Sequence, residues 1–171
     1  KHEVIMLKII KLYFFIGFTT IIKAESVAEK YGDRIELLGI PFKDPLVLCQ
    51  ILIAIILMIA FLQSGIDKII DRKGNQDFFQ VHFAHSPLRG VTSILLTLLT
   101  LMELIGSTML GYGLYYAFFH RTTLWIFYGF VVLAITLIAL FAGQRLAKDY
   151  IGAADLIPYF ILIMLGIMSM Y

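Results

Sequence analysis

Leu124 to Gly143 is a run of twenty residues without one charged side chain. That is the length an α-helix, rising about 1.5 Å per residue, needs to cross a hydrocarbon core roughly 30 Å thick. Two further runs have the same character. Val91 to Tyr116 holds twenty-six residues with a single charge, Glu103, and Leu46 to Leu62 holds seventeen whose one side-chain amide is Gln50. A fourth run, Leu156 to Tyr171, is sixteen residues long and is extended by Ile151 to Ala154. The composition agrees: 60% of the 171 residues are hydrophobic and 15% charged, against roughly 45–50% and about 25% in a soluble domain. These features predict an all-α membrane protein with a four-helix transmembrane bundle over residues 46–171.

Residues 1–45 form a separate N-terminal part. Val4 to Ile22 is apolar except for Lys8, Lys11, Thr19 and Thr20. Met6 to Ala24 half resembles a secretory signal, and an interfacial amphipathic helix is a second reading. Leu12 to Ile22 is apolar on every face, which favours a third: an inserted helix whose lysines snorkel to one surface. The bundle is therefore expected to carry an additional N-terminal helix, membrane-inserted or interfacial. Residues 23–45 carry nine charges of both signs and end in Gly39-Ile40-Pro41 and Asp44-Pro45, which reads as an extramembrane loop with a helical turn around Ser26 to Tyr31.

Asp67 to Arg89 is the next charged segment, and its polar-aromatic middle, Phe78 to Phe83, is expected to lie along the membrane surface. The last two connections, Phe118 to Thr123 and Gln144 to Tyr150, are short. Short links between long apolar helices force antiparallel neighbours and an up-down bundle. If all five segments span, Lys1, Lys8, Lys11, Lys68, Arg72, Lys73, Arg89, Arg145 and Lys148 share one side. Lys23, Lys30, Arg34, Lys43 and Arg121 share the other, a count of nine against five. The basic excess then places Asp67–Arg89 and the Gln144–Tyr150 loop in the cytoplasm. If the first segment lies only on the surface, the count becomes six against eight and the rule no longer decides.

Glu103 is the residue most charged with meaning, because an ionisable group inside an apolar helix costs several kcal/mol unless it is paired or neutralised. At 100° per residue, Ser93, Thr97, Thr100, Glu103, Ser107 and Gly111 share one side of their helix, which must face the bundle interior. Structurally, such a face lets helices approach closely and lets Glu103 fasten two of them together. Functionally, it offers a proton- or ligand-handling carboxylate. The structural role is preferred.

Gln63-Ser64-Gly65-Ile66-Asp67-Lys68 closes the first core helix. Asp67 and Lys68 are candidates for the rim of a pocket opening toward the headgroups, with Gln63 and Ser64 beside them. The plainer alternative is a helix end with Lys68 near the negative pole of the helix dipole. Asp155 caps the last helix or reaches inward beside Glu103. His82 and His85 are three residues apart, but no third ligand stands at a metal-site spacing, so no metal is expected. His120-Arg121 reads as an interfacial anchor. The tyrosines, phenylalanines and Trp125 at segment ends form an aromatic belt.

Several classes fall away. A net charge of +2 without a basic run gives no hold for nucleic acid. A single cysteine, Cys49, permits neither an intrachain disulfide nor a CxxC pair and reads as a small apolar filler. No phosphate loop, HExxH pair or GxSxG elbow occurs. No inverted repeat of broken helices is visible, which weakens a transporter.

With these residues in view, the chain resembles the DoxX-like membrane proteins. Ser64-Gly65-Ile66-Asp67-Lys68 is similar to that family's small-Gly-apolar-x-Lys pattern. Glu103-Leu104-Ile105-Gly106, followed by Leu110-Gly111-Tyr112-Gly113, is similar to its Glu-Leu-apolar-Gly stretch with trailing glycines. The resemblance covers residues 46–171 and implies four transmembrane helices. It also implies association with membrane redox complexes, including thiosulfate- or quinol-linked oxidoreductases, and importance for Lys68 and Glu103. The expectation is a small accessory subunit in a bacterial cytoplasmic membrane, contacting lipid and other membrane subunits. The alternative is a quinone-linked redox subunit in which Glu103 handles protons and Lys68 with Asp67 faces the quinone head. A helix-lined cavity at Glu103 wide enough for a ring would favour the alternative.

Overall fold

The computed structural model describes residues 35–37, 40–42, 45–120 and 122–170. The expected N-terminal helix over residues 4–22 and the turn at 26–31 lie outside the described residues, as does Arg121. The chain divides into two compact units, residues 1–48 and 49–171, three residues beyond the expected boundary. In the first unit an antiparallel hairpin pairs β1 (Ile35–Leu37) with β2 (Ile40–Phe42), with Glu36 opposite Pro41. The sequence reads as a loop here, and these two short segments pair instead. Among the described residues the sheet has two strands, so Pro41 sits on an edge strand, where proline is tolerated.

The remainder is helical: α1 (Pro45–Ile70), α2 (Arg72–His82), α3 (Thr92–His120), α4 (Leu124–Leu146) and α5 (Tyr150–Met168). The chain is an all-α, multi-pass membrane protein. Helices α1, α3, α4 and α5 are each long and apolar enough to span a bilayer, as predicted. The aromatic belt also shows. Tyr112, Tyr116, His120 and Trp125 cluster at one end, with Tyr112 and Trp125 edge to face at 5.1 Å between centroids. At the other end the Arg145 guanidinium lies 4.5 Å over the Tyr150 ring. Trp125 and Arg145 are twenty positions apart on α4, a rise of about 30 Å that matches the hydrocarbon thickness.

Glycines set the packing. On α3 a Cβ at Gly106 would fall against the Leu133 side chain, and one at Gly113 would lie 2.6 Å from the Ile126 backbone nitrogen; on α4 a Cβ at Gly129 would strike Leu110. On α5, Gly166 receives the Phe130 ring. Phe61 on α1 meets Tyr159 on α5 edge-on at 6.4 Å, and Gln50 Nε2 donates to the Ser169 carbonyl at 2.8 Å, which closes the ring of helices. The core inside it contains Leu57, Leu96, Leu110, Ile126, Phe130, Leu133 and Ile163. Large apolar side chains such as Ile56, Leu98, Ile138 and Leu165 cover the outside, as expected where hydrocarbon replaces water.

Aspartates start two of the helices. Asp71 accepts from Gly74 N at α2, and Asp149 accepts from Gly152 N at α5. Between α4 and α5, Lys148 takes φ 62°, with Lys148 N donating to the Arg145 carbonyl and Asp149 N to the Gln144 carbonyl. This is the left-handed helix end that usually carries glycine. Lys148→Gly should therefore raise the melting midpoint in detergent, by the equivalent of about 0.5–1 kcal/mol. An unchanged or lower midpoint would show that the turn is not strained.

Helix α2 docks on the bundle at its two ends. Arg72 donates to Thr97 Oγ1 on α3, His82 Nε2 pairs with Gln144 Oε1 at 2.7 Å, and Phe83 is buried beside Gly143. Phe78 and Val81 remain exposed on another side of α2.

Candidate functional site

The first core helix runs to Ile70, eight residues beyond the apolar stretch that ends at Leu62. That extension builds the site. Ser64 and Lys68 are one turn apart on α1 and so share a face, and Gly65 between them lets α1 close on α3. A Cβ there would sit 2.7 Å from Leu104 Cδ2. Glu103, the twelfth residue of α3, lies about 16 Å along the helix from its start.

Lys68 Nζ reaches Glu103 Oε2 at 2.9 Å and Oε1 at 3.1 Å. It also donates to Ser64 Oγ at 2.5 Å and to the Ser64 carbonyl at 3.3 Å. Ser64 Oγ, accepting from the ammonium, donates its one proton toward the carboxylate at 3.3–3.4 Å. The side chain of Glu103 is 2% exposed and that of Lys68 14%. Two opposite charges and a bridging hydroxyl thus meet their hydrogen-bonding needs within the chain, where water cannot supply them.

The rest of the expected polar face divides. Thr100 and Ser107 are buried but donate to the carbonyls of Leu96 and Glu103 on their own helix, while Ser93 and Thr97 are exposed and Gly111 half-buried beside Met58.

No family model, curated protein or solved structure matches the chain. The site therefore rests on its own geometry.

Of the expected site residues, Glu103, Lys68 and Ser64 come together. Asp67 and Gln63 do not: both are exposed on the outer side of α1. Lys68 bends inward to the carboxylate while Asp67 stays exposed, so the two neighbours turn to different sides. Asp155 neither caps α5 nor joins Glu103. It stands inside α5 and is exposed, and the cap is Asp149. Cys49 is exposed and does not fill the core. His82 turns to Gln144 and His85 is exposed in the following turn, so the two do not converge.

Two outer grooves are apolar. One, of about 260 Å³, runs between α4 and α5 along Leu137, Ile138, Phe141, Leu156, Ile157 and Phe160; the other, about 400 Å³, lies along Leu104, Ile105, Thr108, Met109, Tyr112 and Trp125. Neither is lined by Glu103, Lys68 or Ser64.

Two contacts escaped the sequence. Gln50 is 4% exposed and ties α1 to the end of α5; an isolated amide within an apolar run was the available signal. Asp149, three residues before a glycine and just ahead of an apolar run, carried a helix-start signature.

Proposed function

We propose that the chain is a small polytopic subunit that packs in a larger complex of a bacterial cytoplasmic membrane, and that Lys68–Glu103 is its internal clamp. The observation that carries this is the engagement of the one buried acid among the described residues. Glu103 is held by Lys68 at 2.9 and 3.1 Å and by Ser64, at 2% exposure. A carboxylate so occupied joins α1 to α3. The residues that carry the DoxX-like resemblance, Ser64 to Lys68 and Glu103 to Gly106, are those that meet here, which supports an accessory role of the kind that resemblance implies.

Glu103→Gln tests the clamp, because the amide keeps the shape but leaves Lys68 without its counter-charge. The expected result is a lower yield of assembled complex on native gels, with fewer folded bundles in detergent. Full assembly with wild-type stability would overturn the clamp.

The quinone-linked alternative draws on the 14% exposure of Lys68, which leaves one edge of the pair open. It predicts a different outcome for the same substitution: assembly intact and quinone turnover of the complex slowed. Those two readouts separate the readings.

A further inference from the structure

The outer side of α5 carries a combination that hydrocarbon does not tolerate alone. Ile151, Ala154, Asp155 and Pro158 share one side of the helix at a three-to-four-residue spacing, and all four are exposed. Tyr150, under the Arg145 guanidinium, marks the membrane surface at this end. Asp155 lies five residues further along, about 7–8 Å deeper. Its neighbour Leu156 packs in the groove with Ile138 and Phe141, so the surroundings at that depth are apolar.

Asp155 makes no hydrogen bond or ion pair with another described residue. Pro158 has no N–H, so it withdraws the usual i+4 donor from the carbonyl of Ala154, one position from Asp155. Among the described residues, a carboxylate without a partner thus stands beside a carbonyl that lacks its usual i+4 donor. The rest of that side is Ile151, Ile161, Leu165 and Met168, and buried residues on α5 are confined to Ala153, Ile163 and Gly166. Polar groups at membrane depth are satisfied by protein, and across helices they act as glue.

We infer that the outer side of α5 is a docking surface for a transmembrane helix of a different chain, one that presents a lysine or arginine to Asp155. A cation matches a side that offers only acceptors. The inference rests on the subunit reading above.

The test places a photo-crosslinking residue at Ile151 or Ile161 in the full chain in its native membrane, with Ile59 on α1 and Ile94 on α3 as controls on other exposed sides. The expected result is a discrete adduct from the α5 positions, mapped by mass spectrometry to a transmembrane helix containing a lysine or arginine. Asp155→Asn should reduce its yield about tenfold, and Asp155→Lys should be rescued by the reciprocal change of that cation to aspartate. Because Asp155 is exposed, the melting midpoint of the isolated protein should hold in both variants. Adducts only to lipid, to the N-terminal segment of this chain, or to a second copy of it, overturn the inference. If a larger complex persists but is crosslinked only through α1 or α3, the docking side is wrong while the subunit reading stands; a chain that never exceeds its own mass in gentle detergent removes both.

Discussion

Lys68→Met, made alone, is expected to be the most damaging single change at the site, costing about 3–5 kcal/mol of bundle stability. Methionine fills much of the lysine volume, so little packing is lost. What remains is a carboxylate at 2% exposure with only the Ser64 hydroxyl beside it. Glu103→Met should be comparably harmful because it strands the ammonium. The double variant, Lys68→Met with Glu103→Met, should recover most of the loss, since removing both charges also removes both desolvation costs. Thermal unfolding of the four proteins in one detergent gives the coupling directly. If the two single losses simply add in the double variant, the pair is not an energetic unit and the clamp is refuted.

Gly113→Ala is expected to have the next largest effect, about 1–3 kcal/mol. The new methyl would meet the Ile126 amide nitrogen at 2.6 Å and the Trp125 carbonyl carbon at 2.9 Å. Backbone cannot rotate away as a side chain can, so α3 and α4 must move apart along the contact that also seats Gly106 and Gly129. Gly65→Ala should be milder, because it meets the Leu104 side chain, Cδ2 at 2.7 Å and Cγ at 2.9 Å, rather than backbone. Gly90→Ala, with nothing within 4 Å of the added methyl, is the neutral control. The ranking of melting midpoints, Gly90 above Gly65 above Gly113, checks the interface; a Gly113 variant that melts with the control would mean that the helices are not in close contact there.

The spanning helices were legible because hydropathy over twenty residues is a strong, local signal. Their ends were less so. Gln63 to Lys68 reads as the close of the first core helix; α1 runs two residues further, to Ile70, and Lys68 turns inward to pair with Glu103. That partnership joins residues thirty-five positions apart. Helical periodicity put Glu103 on an inward face but could not say which of four helices would answer it. The inward turn of Lys68 and the outward turn of Asp67 follow from a rotation of α1 about its axis. Gly65 fixes that rotation by its close approach to Leu104, a tertiary fact with no local trace. Asp155 differs from its expected capping role for a related reason: Asp149, six residues earlier, supplies the helix start.

A single residue, Asp71, separates α1 from α2, and its amide still donates to the carbonyl of Asp67. Helix α2 therefore begins within about one turn of the lysine that grips Glu103. Arg72 at its near end and His82 at its far end are its two footholds on the bundle. Freeing His82 from Gln144 would leave Arg72, four residues from that lysine, as the remaining side-chain hydrogen bond from α2 to a spanning helix among the described residues.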